Sequence, residues 1–325
     1  MKNPDFIWSE NSLVARLYIQ YSVLEMPLSF EPFLYQTKDY LNVTSSYEKF
    51  SFYLFRSDEI AARACIHFTK DCHDLISPAR APFGGVQCDQ NCNAGEIKFL
   101  LHCVENWFSK QSNPAVKLKG APSCYYANGT YDLLSSAYEM SGYKVIGKCI
   151  NCHIPISPSP FSMNITAAER RRLAKCKESG FCTEIYDKPD IDIVYDFIKE
   201  SRNAKGYLLS ITKEQLDILI YKFPQQYKLF VVTDQSKIIA LAITVRVCQD
   251  VLYNFLPADL YTYKCFSPTV YLTEAIYNYC QEEEIAVLDM GLSLDHHGNQ
   301  KPGLLKFKKN LGGEESVKIT YQKVL

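Results

Sequence analysis

Two cysteines and a histidine lie at a spacing that can carry cofactor chemistry. Cys149, Cys152 and His153 form C-x-x-C-H, the pattern in which two thiols attach haem and the next histidine binds its iron. The surrounding residues alternate like a β-strand, however, so the two thiols point to opposite faces and cannot hold one haem edge. Cys88 and Cys92 would complete a four-thiol zinc set, but without a second C-x-x-C pair. We therefore expect strand thiols, with no haem and no metal.

The composition is that of a well-packed protein without a dominant charge. The chain has 325 residues, 47% hydrophobic and 13% aromatic, with 13 cysteines and a formal net charge of −1. No global field therefore draws it to nucleic acid or to an anionic membrane. The first residues contain no export signal and no apolar run reaches the length of a membrane span. We expect a soluble cytoplasmic protein with reduced thiols.

The length favours two domains, because one core seldom supports so many residues. The segment 155–164 holds three prolines and three serines and matches neither helical nor strand periodicity. It predicts an interdomain crossing. The expected domains are residues 1–157 and 158–325.

Apolar periodicity predicts strands and helices in both halves. The runs 50–56 and 62–69 indicate a strand hairpin, and 94–111 carries the apolar stripe of an amphipathic helix. Residues 143–156 read as one strand. The second half alternates helices and strands in the same way. The pattern predicts an α/β fold in which a mixed sheet carries helices on both faces.

The most complete helix signature opens the second half. Thr166 is placed as the N-cap and Glu169 follows three residues later, which predicts a capping box. Gly180 stands where the last turn should end. The helix between them also holds the densest basic patch of the chain: Arg170, Arg171, Arg172, Lys175 and Lys177.

The order of elements in the second half resembles the GNAT N-acyltransferase fold, and the first half resembles a second, degraded copy. Three segments carry the resemblance: the basic helix and glycine of 163–181, the closing GLLKFKKNLGG of 303–313, and the SPARAPFGG loop of 77–85. Tandem domains of this kind are similar to the Fem-type peptidyltransferases and their FemAB-like relatives. The resemblance implies an acyltransferase with its site in the second domain.

The resemblance also implies a donor, acyl-CoA or, if Fem-like, aminoacyl-tRNA. GNAT enzymes usually place spaced glycines before the third helix, where N–H groups hold the pyrophosphate of coenzyme A. Here that turn reads LPADLYTYKCFSPT and contains no glycine. We expect donor contacts from Tyr263, Lys264, Ser267, Thr269 and Lys306. In a Fem-like protein the basic helix would help to hold tRNA or an anionic lipid-linked substrate; otherwise it is a solvated face.

Acyl transfer to an amine needs a group that takes the amine's proton and donors aimed at the oxyanion. Asp289 ends a buried strand at the edge where α/β sheets bind ligands, so it either accepts that proton or caps the following turn. Tyr253 interrupts an apolar strand, and His296, beside His297, titrates near neutrality. The catalytic candidates are Asp289, His296 and Tyr253. We expect the strands of 238–256 to splay and form the cleft.

The acceptor would be the amine of an amino acid, peptide or lipid intermediate. Arg80 lies in a loop stiffened by prolines and glycines, and its guanidinium can hold a carboxylate or phosphate. The substrate-binding candidates are Arg80, Phe83, Gly84, Gly85, Asn254 and Gly291. The alternative is a catalytically silent GNAT-fold module that binds an amino-acid or nucleotide-like ligand or a protein partner, and the missing glycines favour it.

Overall fold

The computed structural model describes most of the chain, and its contacts divide it into two units. The described residues are 3–44, 47–71, 74–78, 81–110, 115–127, 129–187, 189–295 and 297–325. Unit 1 comprises Met1–Cys149 and Val317–Leu325, and unit 2 comprises Ile150–Ser316. This division falls before the boundary expected at 157, and the end of the chain belongs to unit 1.

Unit 1 contains an antiparallel sheet with one parallel pair. Its strands are β1 (Phe6–Glu10), β2 (Leu13–Gln20), β3 (Lys49–Arg56), β4 (Ala64–Asp71), β5 (Asp74–Ser77), β6 (Gln87–Cys88) and β7 (Ala115–Lys119). Its helices are α1 (Lys38–Thr44), α2 (Ala94–Phe108) and α3 (Thr130–Met140). The strand order is β1-β2-β3-β4-β5-β7-β14, with β6 on β4 and with β5 parallel to β7. Strands β8 (Lys144–Pro155) and β14 (Glu314–Val324) contribute residues to both units.

Unit 2 is a mixed sheet with helices. Its strands are β9 (Cys182–Ile185), β10 (Tyr227–Asp234), β11 (Lys237–Cys248), β12 (Val251–Asp259) and β13 (Val287–Leu292). Its helices are α4 (Phe161–Asn164), α5 (Ala167–Glu178), α6 (Ile191–Ala204), α7 (Lys213–Lys222), α8 (Pro268–Glu282) and α9 (Pro302–Asn310). The strand order is β8-β13-β12-β11-β10-β9, in which only β12 and β13 are parallel.

The core of unit 2 explains why the sequence of its strand β11 is apolar at consecutive positions. Side chains of α5 and α8, including Leu173 and Ile276, pack on Ala240 and Ala242 of β11. The alternate residues of β11, such as Leu241, are also buried. Since both sets are buried, both faces of this sheet are covered. The expected α/β fold with helices on a mixed sheet is confirmed.

The proline-serine segment predicted as an interdomain crossing is tied to unit 2. The backbone N–H of Ser157 donates to the hydroxyl of Tyr277 over 3.1 Å. Gln281 Nε2 donates to the carbonyl oxygens of Ser157, at 2.6 Å, and Ser159, at 3.0 Å. Side chains of α8 thus satisfy backbone groups that no strand or helix of the segment satisfies at these two serines.

The capping hydrogen bonds of the helices differ in part from those that the local sequence predicts. Thr166 is the N-cap residue of α5, as predicted, but its side chain makes no capping hydrogen bond. The predicted capping box is therefore wrong: Glu169 accepts instead from Arg172, at 2.7 Å, and Asn310, at 3.4 Å. A complete capping box forms at α2, between Asn93 and Glu96.

The two N-caps give a matched test. Asn93→Ala should lower the free energy of unfolding by about 1 kcal/mol, because it removes the acceptor for the Glu96 N–H. Thr166→Ala should cost less than about 0.5 kcal/mol, since no capping bond is lost. Urea titration of both variants measures the difference, and equal losses would contradict it.

Candidate active site

Strands β12 and β13 part after three residue pairs. They pair in parallel at Val251↔Val287, Leu252↔Leu288 and Tyr253↔Asp289. Beyond Tyr253, β12 continues to Asp259 bonded only to β11 on its other side, within the described residues. The gap between the two strands is the feature of unit 2 that can admit a ligand between backbone edges.

The strands of 238–256, β11 and β12, were expected to splay, but they remain paired. β11 and β12 pair from Ala240↔Asp259 to Cys248↔Val251, with the register shifting at two points. The expectation was wrong because a long apolar run indicates a buried strand but not which neighbour it leaves. The opening lies one strand further along, between β12 and β13.

Bulges stand on both sides of the opening. In β13, Asp289 pairs with His153 and Gly291 with Cys152, so Met290 is an extra residue. In β12, the register against β11 shifts at the same level and leaves Phe255 as the extra residue. A bulge bends its strand and increases its twist. The two bends therefore direct the strands apart.

The carboxylate of Asp289 stabilises the bulge in β13. Asp289 is 2% exposed, and its Oδ1 accepts from the Gly291 N–H and from Asn151 Nδ2, both at 2.8 Å. Gly291 has φ +71°, a left-handed conformation that glycine adopts at little cost. These bonds agree with the alternative predicted for Asp289, in which its carboxylate caps the turn that follows the strand. Its role as a proton acceptor stays a prediction.

Lys308 of α9 is the buried cation beside this bulge. It is 6% exposed, and its Nζ donates to the carbonyl oxygens of Gly291, at 2.9 Å, and Leu292, at 2.8 Å. Burial lowers the pKa of Lys308 to about 8, against the opposing influence of Cys152 and Asp289. A group that titrates near neutrality in a buried site is suited to proton transfer.

Lys308 was not among the site residues predicted from the sequence, although its position on the helix distinguishes it from Lys306 and Lys309. Lys308 follows Leu304 by four residues and precedes Leu311 by three, so it shares their face of α9. Leu311 is fully buried. Lys306, by contrast, is exposed.

The paired glycines after α9 allow its close approach to β8. Gly313 donates its N–H to the Lys308 carbonyl over 3.0 Å, which closes the helix. A Cβ at Gly313 would lie 2.6 Å from both Cys152 Sγ and that carbonyl oxygen. The glycine is therefore required by space, and it fixes the position of Lys308 relative to the sheet.

Tyr253 lies beside Gly291 at the last pair before the opening. Its Cε2 would be 3.2 Å from a Cβ at position 291. Burial and the negative charge of Asp289 raise the pKa of the Tyr253 phenol, while Arg202 of α6 acts in the other direction. The phenol therefore stays protonated at neutral pH. The Arg202 Nε is itself buried without a hydrogen-bond partner in the described chain.

Asn254 and Ser293 each carry a buried polar atom that has no partner among the described residues. Asn254 is 5% exposed, and its Oδ1 is unbonded while its Nδ2 contacts the Met290 sulfur at 3.9 Å. Ser293 is fully buried with an unbonded hydroxyl. An unsatisfied buried polar group costs free energy and often marks a functional position. Asn254 was predicted from the sequence, and Ser293 and Arg202 were not.

The turn before α8 adopts the glycine conformation without a glycine. Ser267, the N-cap of α8, has φ +55°, and its side chain makes no capping hydrogen bond. Thr269 lies in the first turn of α8, where its carbonyl accepts from the Thr273 hydroxyl at 2.7 Å. Tyr263 donates its hydroxyl to Asp234 over 2.8 Å. The Lys264 ammonium lies 5.2 Å from the centre of the Tyr261 ring. Their contact with a donor stays a prediction.

The remaining candidates lie elsewhere in the chain. Phe83 is 2% exposed in unit 1, edge-on to Tyr35 with ring centres 5.1 Å apart. Gly84 and Gly85 donate their N–H groups to backbone carbonyls of β7 and β5. Phe83, Gly84 and Gly85 therefore pack within unit 1. Arg80 and His296 lie outside the described residues.

Most charges of the basic helix α5 are engaged within unit 2. Lys177 pairs with Glu274 at 2.7 Å, Arg172 with Glu169 at 2.7 Å, and Lys175 donates to the Cys265 carbonyl at 3.0 Å. Arg170 donates to the Ile165 carbonyl at 2.7 Å. These contacts support the interpretation of α5 as a packed helix with a solvated face.

Strand β8 runs unbroken through Cys149 and Cys152, as the alternation predicted. In the described part of the chain, no group of three or more histidine, cysteine, aspartate or glutamate side chains is placed to hold a metal ion. No described helix has the length and apolar character needed to cross a bilayer.

Solved structures provide the comparison for this architecture. The crystal structure of FemX matches with a TM-score of 0.68 at 14% identity, over 90% of this chain and 92% of that one. The chain has a tandem GNAT-like fold. A tandem GNAT protein from the clavulanic acid biosynthesis pathway matches with a TM-score of 0.51 at 9% identity, over 85% and 82% of the two chains.

A third similar structure is the C-terminal domain of a putative lysylphosphatidylglycerol synthetase from Agrobacterium fabrum. Its TM-score is 0.56 at 13% identity, over 80% of each chain. No protein-family model matches the sequence, and comparison with curated proteins finds no match. The structural similarity therefore establishes the fold that the resemblance to Fem-type and GNAT proteins predicted. It does not establish the activity, which has to be argued from the geometry of the site.

Substitution at Gly291 should report on its contact with Tyr253. Gly206→Ala is a matched control, because its φ of +70° is the same but nothing lies within 4 Å of the added Cβ. We expect a loss of about 1 kcal/mol for Gly206→Ala and about 1 kcal/mol more for Gly291→Ala. The extra loss should shrink in a Tyr253→Leu background, as measured by a double-mutant cycle. Equal losses for both glycines would refute the contact.

The lowered pKa of Lys308 predicts a pH-dependent stability. Between pH 8 and 10.5 the unfolded chain holds the Lys308 proton and the folded chain does not, so this group makes stability rise with pH. Relative to Lys308→Met, the free energy of unfolding of the parent chain should rise by up to about 3 kcal/mol over that range. Lys309→Met, at an exposed neighbour, should show no such trend. A flat difference for Lys308→Met would overturn the assignment.

Proposed function

We propose that the chain is an N-acyltransferase that transfers an acyl or aminoacyl group to an amine, with its site in unit 2. The gap between β12 and β13 carries the proposal. Beyond Tyr253 the edge of β12 has no strand partner on that side among the described residues. Such an edge offers N–H and C=O groups to an extended ligand, as in strand addition. The arm of an acyl donor or a peptide-like acceptor has the amide groups to use it.

Two side chains next to Gly291 have complementary proton chemistry. The Tyr253 phenol remains protonated and donates to the leaving group, while Lys308, with a pKa of about 8, is partly neutral near pH 7.5 and accepts the proton that the amine loses. The amine nitrogen bonds to the carbonyl carbon as the bond to the donor's sulfur or ester oxygen breaks. Direct contact or one water would connect Lys308 to the amine.

The unbonded atoms of Asn254 and Ser293 supply orientation. An amide oxygen accepts from a ligand N–H, and a hydroxyl can donate to a developing oxyanion. Gly291 keeps the site open on the side of Tyr253. Asp289 orients the bulge, and its direct action on the amine remains the secondary hypothesis.

The donor end is proposed to lie at the turn before α8 and at α9. Tyr263, Lys264, Ser267, Thr269 and the exposed Lys306 are the residues proposed to meet the phosphates of acyl-CoA or the 3′ end of aminoacyl-tRNA. A silent binding module is the second candidate. Two observations favour it: Asp289 is held by backbone and Asn151 contacts, and the charges of α5 are largely paired.

Thermal shift with acetyl-CoA, a longer acyl-CoA and an aminoacyl-tRNA tests donor binding. We expect saturable stabilisation by one of them, weakened by Lys306→Ala. Transfer of the labelled group to free amino acids and short peptides then tests catalysis. Stabilisation without transfer to any acceptor would favour the silent module, and no response to any donor would contradict both the donor and the transferase proposal.

The role of the Tyr253 phenol has its own prediction. Tyr253→Phe keeps the ring beside Gly291 and removes only the proton donor, so kcat should fall about 100-fold or more while donor affinity changes little. Tyr221→Phe, at a side chain of α7 that is 77% exposed, is the matched control and should leave kcat unchanged. An unaltered kcat in Tyr253→Phe would exclude the phenol as the acid.

A further inference from the structure

Unit 1 contains a cavity of about 230 Å³ that no element of the proposed transferase site uses. It lies on the face of β3 and β4 that carries Tyr53 and His67, under the chain between Val23 and Asp39. The cavity is open to solvent at a mouth that includes Glu25 and Asp39. A dry cavity of about 150 Å³ is enough to accept benzene.

The segment over the cavity is fixed at both ends. Asn42 of α1 clamps Val23, accepting its N–H at 2.6 Å and donating to its carbonyl at 3.0 Å. Further along, Ala62 exchanges backbone hydrogen bonds with Pro27, at 2.8 Å, and Ser29, at 3.0 Å. The space is therefore held open by a pinned cover.

Away from the mouth, the wall of the cavity is uncharged. Leu24, Met26 and Leu28 line it from the cover. On the sheet side, burial lowers the pKa of His67 to about 4 and raises that of the Tyr53 phenol, so both are neutral near pH 7. A charged group would lose its hydration here without gaining a partner.

One interior polar group is unsatisfied. Gln36 lines the cavity and is 3% exposed; its Nε2 donates to the Gly85 carbonyl at 3.1 Å. Its Oε1 is buried with no hydrogen-bond partner in the described residues. A side-chain shift of this amide toward a ligand would let a bound N–H or O–H group satisfy it.

The mouth of the cavity carries a net negative charge. Glu25, Lys38 and Asp39 line it, and Lys38 is neutralised by Glu25 at 2.9 Å. Asp39 adds a second carboxylate, whose negative charge also acts on Lys38. The cavity thus combines an uncharged interior of aromatic size with a mouth that favours a cation.

We propose that this cavity binds a small aromatic amine, its ring against Tyr53 and His67 and its ammonium at the mouth beside Glu25 and Asp39. A phenyl ring with a two-carbon chain, of roughly ten heavy atoms, suits the volume. An anion would meet two carboxylates and one lysine that is already paired. This site is independent of the transferase proposal, because all of its residues belong to unit 1.

Three probes of one shape and different charge test the proposal: phenethylamine, 2-phenylethanol and phenylacetate. Isothermal titration calorimetry of the full chain should show saturable binding of the amine and roughly tenfold weaker binding of the alcohol. Phenylacetate should not bind. Equal affinity for amine and alcohol would overturn the ligand class, and absence of binding by all three would overturn the site.

Variants locate the binding. Glu25→Gln combined with Asp39→Asn changes only exposed carboxylates, and it should reduce amine affinity roughly tenfold while leaving that of the alcohol unchanged. Asp58→Asn, an exposed carboxylate that does not line the cavity, is the matched control and should change neither. The double variant loses the exposed Glu25–Lys38 ion pair, so its thermal midpoint should fall only slightly, and both variants should remain folded at the temperature of the titration. Unchanged amine affinity in the double variant would place the ammonium elsewhere and refute the proposed orientation.

Discussion

The candidate active site depends on one buried carboxylate that bends a strand. Asp289 Oδ1 accepts the N–H of Gly291, two residues ahead, and this local hydrogen bond competes with regular strand geometry. Met290 then becomes an extra residue against β8, and β13 leaves the parallel ladder with β12. Since Asn151 holds the same oxygen from β8, the bend is fixed on both sides. A gap between central strands is costly, and this pair of contacts offsets that cost.

The bend also explains why a lysine is buried there. Lys308 donates to the carbonyls of Gly291 and Leu292, so α9 is bonded to the displaced end of β13. Burying an ammonium is unfavourable, and its lowered pKa is the measure of that penalty. Packing alone would be served as well by an apolar side chain of the same length. A bulge and a perturbed lysine at one position are the combination expected of a site that performs chemistry.

The sequence predicts the elements well and the site less well. Strands β3, β4 and β8 and helix α2 follow from periodicity, which reports burial directly, and α5 follows from Thr166 and Gly180 at its two ends. The bulge at Met290 does not, because a bulge depends on the register with a neighbour 138 residues away, as the Asn151–Asp289 bond shows. Glu169 illustrates the same limit: it has the spacing of a capping box, yet tertiary contacts with Asn310 and Arg172 take its carboxylate. Helical spacing would have predicted that Lys308 is buried and Lys306 exposed, because only Lys308 shares a face of α9 with Leu311.

Missing glycines are weak evidence against a donor site in this fold. The left-handed conformation that a glycine would supply before α8 is present at Ser267, with φ +55°. A serine adopts it at a cost of about 1 kcal/mol, which a well-packed turn can absorb. α5 provides that packing, since Lys175 and Cys176 bond to the carbonyls of Cys265 and Phe266. A sequence motif is defined by residue types, whereas a ligand binds to backbone groups whose positions depend on the backbone geometry. At Ser267 the turn has a backbone conformation typical of glycine although it contains no glycine.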